Sequence, residues 1–396
     1  MDEQRLSLRQ AAERAGVSPA TLRRWAQTGV IPEVDGSGEW TAAAAAHARL
    51  VARLREQGHS LQQIREAGRQ GRLAYAFIEE LFPREGGRIS IDDATDATGL
   101  EPALIERFWI SMGLPSKALD NATEDDVQAL QYMASVLAAG FPLVAFLQLI
   151  RVYGQAMSQI ADAEVRLFHM YVHEPLMHEG VPGLEMAEEM GTLAQDLLPL
   201  ASPLMDYVHQ RFLQHFIAQD VVGHMELELD DDEVDLGRVR VAIAFADLAG
   251  YTRFTEEEGD EEALSFVERF IDGVTDTLPD DARVVKTIGD EVMVVGADVR
   301  ALTEWAVGFQ RLFDERPQPR IGMHYGLTIY RDGDYFGREV NLASRVVARA
   351  RGGEVLVTDA VEDAVSLGHL GFEPTGQVKL KGFDEPRRLS RVSARD

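Results

Sequence analysis

The sequence predicts a multidomain protein in which an all-α N-terminal region precedes an α+β C-terminal domain. Before position 226, apolar residues recur at the three- and four-residue steps of amphipathic helices. After position 238, β-type apolar runs end on turn residues and carboxylates. We therefore expect domains at residues 1–80, 85–225 and 238–396, with an acidic linker at 226–237.

The composition narrows the class of protein. A hydrophobic fraction of 45% is typical of a globular chain, and a formal net charge of −27 argues against nucleic-acid binding by the whole protein. The chain has no cysteine, so disulfides and thiol chemistry are excluded. It shows no signal-peptide pattern and no apolar run of about 18 residues, so we expect a cytoplasmic protein without a transmembrane segment.

The first 72 residues differ in charge from the rest of the chain. They hold 11 arginines against 8 acids, a net charge of +3, which leaves −30 for the remainder. Residues 8–25 predict a helix, a turn at Gly16, and a second helix capped by Ser18 with Pro19 in its first position. The residues that follow, 29–32 and a polar glycine-rich stretch, are expected to form a wing.

This pattern resembles the winged helix-turn-helix of the MerR family. The resemblance implies that the second helix enters the major groove of DNA, where its contacts would be Thr21, Arg23 and Arg24. Three net charges are few, and the same shape serves protein contacts equally well, so both alternatives stay open.

The helix-turn-helix pattern then repeats, with the second copy offset by about 82 to 84 residues. Residues 89–94 parallel 6–11, residues 99–102 parallel 16–19, and residues 113–115 parallel 29–32. The second copy carries acids on the corresponding face, at Asp92, Asp93, Asp96, Glu101 and Glu106. Because DNA phosphates repel that surface, we expect a packing or sensing module.

Residues 141–225 predict a helical bundle. Its expected core side chains lie at mixed three- and four-residue steps: Leu143, Phe146, Leu147, Ile150, Tyr153 and Met157. A methionine-rich set in the same region suggests a lipid-sized pocket as the alternative: Met170, Met177, Met186, Met190 and Met205. Six of the 10 histidines lie between positions 169 and 224. His169 and His173, one helical turn apart, suit packing, pH sensing or, third, a metal.

An apolar run at residues 239–245 is followed closely by Asp247, and Gly250 then permits a tight turn. Thr252 and the amphipathic residues 262–273 indicate a helix, so free N–H groups would face a phosphate beside a carboxylate that holds a cation. A β-hairpin is predicted around residues 289–290, with Asp290 at its tip. If the two aspartates end adjacent strands, they can hold one or two Mg²⁺ ions for phosphoryl chemistry.

A third segment begins at Gly337, where apolar and polar positions separate at helical spacing. Asn341 and Arg345 are four residues apart, so they share one helix face and can point at one anionic group. We also predict a strand at 239–246, helices at 258–274 and 298–314, and a strand at 320–328, with the last helix starting at Gly337.

Together, the three segments resemble the catalytic domain of class III nucleotidyl cyclases, over residues 238–392. The resemblance implies an α+β sandwich of ferredoxin-like type and the conversion of ATP or GTP to a cyclic 3′,5′-monophosphate and pyrophosphate. It also implies the site residues: Asp247, Asp290 and the Leu248 carbonyl for metal; Lys286 and Asp334 for the purine; Gly250, Tyr251 and Thr252 for substrate; Asn341 and Arg345 for ribose and transition state; and Lys381, or equally Lys379, for the terminal phosphates.

A lysine that faces N1 and a carboxylate that faces the 6-amino group suit adenine, so the expected substrate is ATP. The resemblance further implies two Mg²⁺ or Mn²⁺ ions per site, a homodimer whose subunits share each site, and the short-arm bacterial subgroup. The helical region resembles the regulatory domains that precede some bacterial cyclases. His209 and His215 are expected on the helix that leads into the catalytic domain, as a candidate pH switch beside the lipid alternative. The alternative function is a DNA-binding transcription regulator with a cyclase-like domain that senses a nucleotide.

Overall fold

The computed structural model describes residues 5–31, 40–74, 89–114, 122–181, 183–226, 237–313, 315–365 and 368–395. The chain divides into two compact units, Met1–Arg211 and Phe212–Asp396. The expected wing, from residue 32 onward, and residues 227–236 of the acidic linker lie outside the described residues.

Within the described residues, four helices form the N-terminal part of the first unit: α1 (Leu8–Ala15), α2 (Pro19–Gln27), α3 (Ala42–Glu56) and α4 (Leu61–Arg69). As predicted, α1 ends at Gly16, whose φ of 69° suits glycine, and Ser18 caps α2. Leu22 of α2 is fully buried with Val51 of α3 in one apolar cluster. A pair of 2.8 Å backbone hydrogen bonds joins Leu6 to Trp40 and closes the unit around the two short helices.

The next three helices follow the same order: α5 (Ile91–Thr98), α6 (Pro102–Ser111) and α7 (Glu124–Ala138). Helix α5 begins with a Ser90 capping box and ends at Gly99, with a φ of 70°. An antiparallel bridge joins Ile89 to Ala122. These two residues follow the bridged pair Leu6 and Trp40 by 83 and 82 positions (89 − 6 and 122 − 40).

Helical segments form the rest of the described part of the first unit, and the last of them continues into the second unit. They are α8 (Leu143–Phe168), a π-helical turn (His169–His173), α9 (Glu174–Glu179) and α10 (Gly183–Glu226). The helical prediction for residues 141–225 is therefore confirmed. None of the helices in the described ranges combines the length and apolar composition that a membrane-spanning helix needs.

The expected core of α8 is only partly correct. Phe146, Leu147 and Ile150 are buried against Phe108 and its neighbours, but Tyr153 and Met157 are exposed by 43% and 47%. A helix of 26 residues is about 39 Å long, longer than the cluster that it packs on, so its second half leaves this core.

The second unit is built on an eight-stranded mixed sheet. Its elements are β1 (Arg238–Leu248), α11 (Tyr251–Glu258), α12 (Asp260–Thr277), β2 (Ala282–Ile288), β3 (Glu291–Gly296), α13 (Val299–Phe309), β4 (Pro319–Arg331), β5 (Asp334–Phe336), α14 (Arg338–Val347), β6 (Val355–Thr358), α15 (Asp359–Ala364), β7 (Leu370–Val378) and β8 (Arg387–Ala394). The strand order is β2-β3-β1-β4-β6-β8-β7, and β5 pairs with β4.

The first four long strands pair antiparallel, in the order β2-β3-β1-β4. With α12 and α13 they follow the β-α-β-β-α-β succession of the ferredoxin-like motif. Phe270 of α12 and Phe309 of α13 cover one face of the sheet. Ala343 and Val347 of α14 pack on another cluster with Val241 of β1.

The predicted elements of this unit agree with the structure apart from their ends. The strand expected at 239–246 extends over Arg238–Leu248, and the one expected at 320–328 extends over Pro319–Arg331. The helix expected at 258–274 is preceded by a separate helix, α11. Gly259, with a φ of 94°, interrupts the helical conformation between the two. The helix expected to reach residue 314 ends as an α-helix at Phe309.

Close packing of β4 against α14 yields a stability prediction. A Cβ at Gly322 would overlap the backbone of Val347, whereas a Cβ at Gly308 of α13 meets open space. We expect Gly322→Ala to cost about 3 kcal/mol or more, because neither backbone can move away. Gly308→Ala, the matched control, should be neutral or stabilising by up to about 1 kcal/mol. Urea unfolding followed by tryptophan fluorescence measures both; equal stabilities would contradict this packing.

Candidate functional site

Two carboxylates meet at one end of the sheet. Asp247 is the penultimate residue of β1, and Asp290 lies in the two-residue turn between β2 and β3. Their side chains are within hydrogen-bonding reach of each other, and the side chain of Asp247 is only 12% exposed. Asp290 thus lies at the tip of the predicted hairpin, and Asp247 lies near the end of β1, which pairs with the neighbouring strand β3.

The electrostatics of this pair are unfavourable to two full negative charges. Burial, and then the neighbouring Asp247, raise the pKa of Asp290 to about 6. Glu291 pairs directly with Asp247 across β1 and β3, and its pKa is also raised, first by burial and then by both aspartates. The negative charges of these three acids therefore repel one another, and a bound cation would reduce that repulsion.

Arg320 supplies part of that positive charge, and the sequence analysis missed it. Its Nε donates to Asp247 Oδ2 at 2.7 Å, and its Nη2 contacts the same oxygen. The contact follows from strand register, because Arg320 of β4 lies directly opposite Asp247. A basic residue opening the strand predicted at 320–328 was the available signal.

The residues at this edge fit a divalent cation that substrate helps to hold. Over the described residues, no group of three or more histidine, aspartate or glutamate side chains forms a ready-made metal cage. Mg²⁺, however, is usually bound through one or two carboxylates together with water and substrate phosphates. Asp247 and Asp290 offer two carboxylates, and Leu248, the residue after Asp247, adds a backbone carbonyl.

The turn after β1 has the expected geometry. Gly250 adopts a φ of 80°, and α11 begins at Tyr251, one residue before the position predicted from Thr252. Tyr251 is half-buried against the core, and Thr252 is exposed. The first turn of α11 thus lies only a few residues beyond Asp247, with the free backbone N–H groups of a helix start.

Lys286 and Asp334 are brought together as the sequence analysis expected. Lys286 Nζ forms an ion pair with Asp334 Oδ2, and the two side chains are 37% and 25% exposed. Lys286 lies on β2, and Asp334 begins β5, 48 residues later. The pair therefore presents a cation and an anion side by side on a partly open surface.

Helix α14 displays Asn341 and Arg345 together. Both are exposed, whereas Leu342 and Val346 beside them are buried. The predicted shared face is therefore confirmed. The charge of Arg345 lowers the pKa of Glu291, against the upward effects of burial and the two aspartates.

The two lysines proposed for terminal phosphates remain alternatives. Lys379 and Lys381 are both exposed, and they flank Leu380, which packs against α14 beside Leu342. Arg349 Nη2 donates to the Lys379 backbone carbonyl at 2.8 Å. This bond holds the backbone and does not involve either ammonium group, so it does not favour one lysine over the other.

The N-terminal candidates have clear positions. Thr21 is half-buried and its hydroxyl contacts Ser18 Oγ at 2.9 Å, while Arg23 and Arg24 are exposed on α2. His209 and His215 are exposed on α10. These positions leave a DNA contact and a pH switch sterically open.

His173 is buried and engages two neighbours. Its Nε2 lies 3.0 Å from the Gly71 carbonyl, and its Nδ1 lies 3.0 Å from Nδ1 of His169. These contacts favour packing over a metal site, the first of the three alternatives, because both ring nitrogens of His173 have protein partners.

Comparison with known proteins accounts for both units. Residues 237–390 match the adenylate and guanylate cyclase catalytic domain family, and residues 34–217 match the adenylate cyclase regulatory domain family. The second match runs across the segments expected at 1–80 and 85–225.

The relatives match most of the chain. An adenylate cyclase of Streptomyces coelicolor is 33% identical over 276 residues, which is 67% of this chain and 69% of that protein. A pH-sensitive adenylate cyclase of Mycobacterium tuberculosis is 29% identical over 360 residues, 88% of this chain and 85% of that one. An uncharacterized protein of the same species is 31% identical over 358 residues, 86% and 88% of the two chains. The chain therefore belongs to the class III adenylate cyclases and is an enzyme of that family, with a helical regulatory domain ahead of its catalytic domain.

Proposed function

We propose that the chain converts ATP to 3′,5′-cyclic AMP and pyrophosphate with the cluster around Asp247 and Asp290 as its catalytic centre. The observation that carries the proposal is the placement of Asp247, near the end of β1, beside the turn that holds Asp290 at the start of the paired strand β3. When bound there, two Mg²⁺ or Mn²⁺ ions would lower the pKa of the attacking hydroxyl and neutralise phosphate charge. The Leu248 carbonyl would be a further ligand.

The residues around this centre would handle the triphosphate. In the reaction the ribose 3′-hydroxyl attacks the α-phosphorus, and pyrophosphate leaves. Arg345 would meet the charge that develops on the α-phosphate, and Asn341, on the same helix face, would orient the ribose. The helix start at residues 250–252 would face phosphate oxygens. Lys381, or Lys379, would hold the terminal phosphates.

Adenine selection would depend on Lys286 and Asp334. An ammonium group donates a hydrogen bond to adenine N1, and a carboxylate accepts one from the 6-amino group. Guanine carries a protonated N1 and a carbonyl at position 6, so the same pair opposes it. The two groups form an ion pair with each other, which holds both in place before substrate binds.

A homodimer would complete the active sites, with metal residues from one subunit and purine and transition-state residues from its partner. Exposed apolar residues on α10 support the dimer, at alternating four- and three-residue steps: Leu193, Leu197, Leu200, Leu204 and Tyr207. This spacing is typical of coiled-coil seams, which bury such residues against a second helix. A second copy of the chain is the partner that this seam suits.

The N-terminal unit would regulate the enzyme, and we infer that it contains a duplicated helix-turn-helix. The two bridged, similarly capped helix pairs support the duplication. Exposed Arg23 and Arg24 leave DNA contact as an alternative function for the first copy, together with nucleotide sensing in place of catalysis. The resemblance to a relative named pH-sensitive favours a proton signal over lipid, with His209 and His215 as the candidate groups.

An assay of cyclic AMP formation tests the activity. The full chain with ATP and Mn²⁺ should form product, whereas Asp247→Asn and Asp290→Asn should each lower turnover at least about a hundredfold, because charge neutralisation is lost. Asp298→Asn, at a helix cap outside the cluster, is the control. If neither aspartate variant loses activity, the metal assignment is wrong.

A rate that varies between about pH 5.5 and 8 in the wild type, but not in the His209, His215 double alanine variant, would support the switch.

Mixing two inactive chains tests the shared sites. Asp247→Asn and Asn341→Ala damage opposite halves of the proposed composite site. When they are mixed one to one and allowed to exchange, half of the dimers pair unlike chains and hold one intact site, so about a quarter of wild-type activity should return. Mixing Asp247→Asn with Asp290→Asn, which damage the same half, should restore none. Equal recovery in both mixtures would contradict a site built from two subunits.

Thermal unfolding tests the carboxylate pair without turnover. Because the folded pKa of Asp290 lies above its ordinary value of 3.8, folding takes up a proton between about pH 4 and 6, and this acid destabilises the metal-free protein as the pH rises through that window. Asp290→Asn should therefore match the wild type below about pH 4 and be more stable by about 1 kcal/mol above pH 6, after allowance for partial exposure.

Added Mn²⁺ should reverse that order at neutral pH. The wild type would gain stability by binding the ion, and Asp290→Asn would gain little. A Tm that does not respond to Mn²⁺ in the wild type, with ATP present, would contradict the proposed metal site.

A further inference from the structure

Arg283, on β2, has an unusual number of aromatic neighbours. Its guanidinium carbon lies 5.4 Å from the ring centroid of Phe216, 6.0 Å from that of Tyr330 and 5.6 Å from that of Tyr335. Its Nη2 also donates to the Tyr335 hydroxyl at 2.6 Å. One cation thus connects three elements, because Phe216 lies on α10, Tyr330 on β4 and Tyr335 on β5.

An irregularity in β2 turns Arg283 toward the same side as Lys286. In a regular strand, residues three apart point to opposite faces of the sheet. Between Val284 and Lys286, however, the pairing with β3 shifts by one residue, which is a bulge. One extra residue changes the alternation, so Arg283 and Lys286 can both reach β5.

Two consecutive residues of β5 receive these two cations. Lys286 pairs with Asp334, and Arg283 binds Tyr335. Tyr335 is buried, and the backbone N–H of Tyr335 donates to Asp334 Oδ1 at 2.8 Å. The position of the Asp334 carboxylate is therefore tied to the residue that Arg283 holds.

The same strand is attached to the end of α10. Gln219 Nε2 donates to the backbone carbonyl of Asp280, two residues before β2 begins, and Phe216 covers Arg283 one helical turn earlier. Residues 212–219 thus dock on the start of β2 within the second unit. A shift of this helix segment would move the face of Phe216 away from Arg283.

We propose that Arg283 is a positioning residue that couples the end of α10 to the adenine-recognising pair Lys286 and Asp334. With Phe216 and Tyr335 in place, Arg283 holds β5 against β2 and keeps the pair in register for the base. When Phe216 moves away, the hold on Tyr335 loosens, and ATP binding and base selection weaken before the chemical step does. The assignment rests on the proposed function for the role of Lys286 and Asp334.

Kinetics of the full chain test the proposal. Arg283→Gln should raise KM for ATP about tenfold or more, since a hydrogen bond to a charged group is lost, and should lower the preference for ATP over GTP. Its kcat should change much less. Tyr335→Phe, which keeps the ring and loses the hydroxyl, and Phe216→Leu, which keeps apolar bulk and loses the π face, should shift KM in the same direction. Arg283→Lys, which keeps the cation, should recover part of the effect.

Ile217→Ala is the matched control. Ile217 is 56% exposed and is the next residue after Phe216 on α10, so its loss perturbs the same helix segment without touching the aromatic contacts of Arg283. Its KM and its ATP preference should equal those of the wild type. Unchanged KM and preference in Arg283→Gln would overturn the proposal, as would an equal change in the control.

Hydrogen exchange gives an answer that does not depend on activity. Backbone amides of residues 329–336 should exchange faster in Arg283→Gln and Phe216→Leu than in the wild type or Ile217→Ala, while β3 stays protected. Wild-type exchange in both variants would refute the coupling. If the wild type forms no cyclic AMP but the two variants exchange faster than it does, as expected, the proposed function is wrong. The coupling of α10 to β5 is then still supported.

Discussion

The carboxylate cluster of Asp247, Asp290 and Glu291 depends on holding like charges together. The antiparallel register of β1 and β3 places Asp247 opposite Glu291 and beside Asp290, in a partly buried setting where burial alone raises carboxyl pKa values. Such an arrangement opposes folding, so its cost must be met by the rest of the sheet. Phe270 and Phe309, both almost completely buried beneath it, are part of what offsets that cost.

Arg320 gives the acidic cluster a counter-charge of its own. Its guanidinium and a divalent cation would compete for the same oxygen of Asp247, because both need the Oδ2 lone pairs. Metal binding would then release the guanidinium of Arg320 from Asp247, and the free guanidinium could contact an anionic triphosphate. Arg320 thus balances part of the negative charge of the cluster.

Features that depend on neighbouring residues in the chain could be predicted from the sequence. The strand that carries Asp247 near its end, the turn at Gly250 and the shared face of Asn341 and Arg345 each depend on residues within one turn or one strand. Each was predicted from the sequence, apart from the ends of the strand. Lys286 and Asp334 were assigned to one purine site by family resemblance, and their ion pair was not predicted, because a 48-residue separation carries no local signal.

The register between strands far apart in the chain, and the exposure of individual side chains, could not be predicted from the sequence. The contact of Arg320 with Asp247 spans 73 residues and depends on which residues of two strands lie opposite each other. The bulge in β2 is a one-residue slip that leaves no mark on apolar alternation. Tyr153 and Met157 fit the core pattern of α8 and are exposed, because periodicity shows which face is apolar and not how far the neighbouring helices extend.

The strengths of the contacts decide how regulation can reach the site. The sheet core loses several kcal/mol if one large side chain is removed, so a regulatory signal of ordinary size cannot rearrange it. A cation–π contact is worth only about 0.5–2 kcal/mol, which matches the size of typical coupling free energies between sites. Arg283 makes such contacts with the end of α10 on one side and with β5 on the other. A small movement of that helix can therefore alter the ion pair of Lys286 and Asp334 while Asp247, Asp290 and the strands that carry them stay in place.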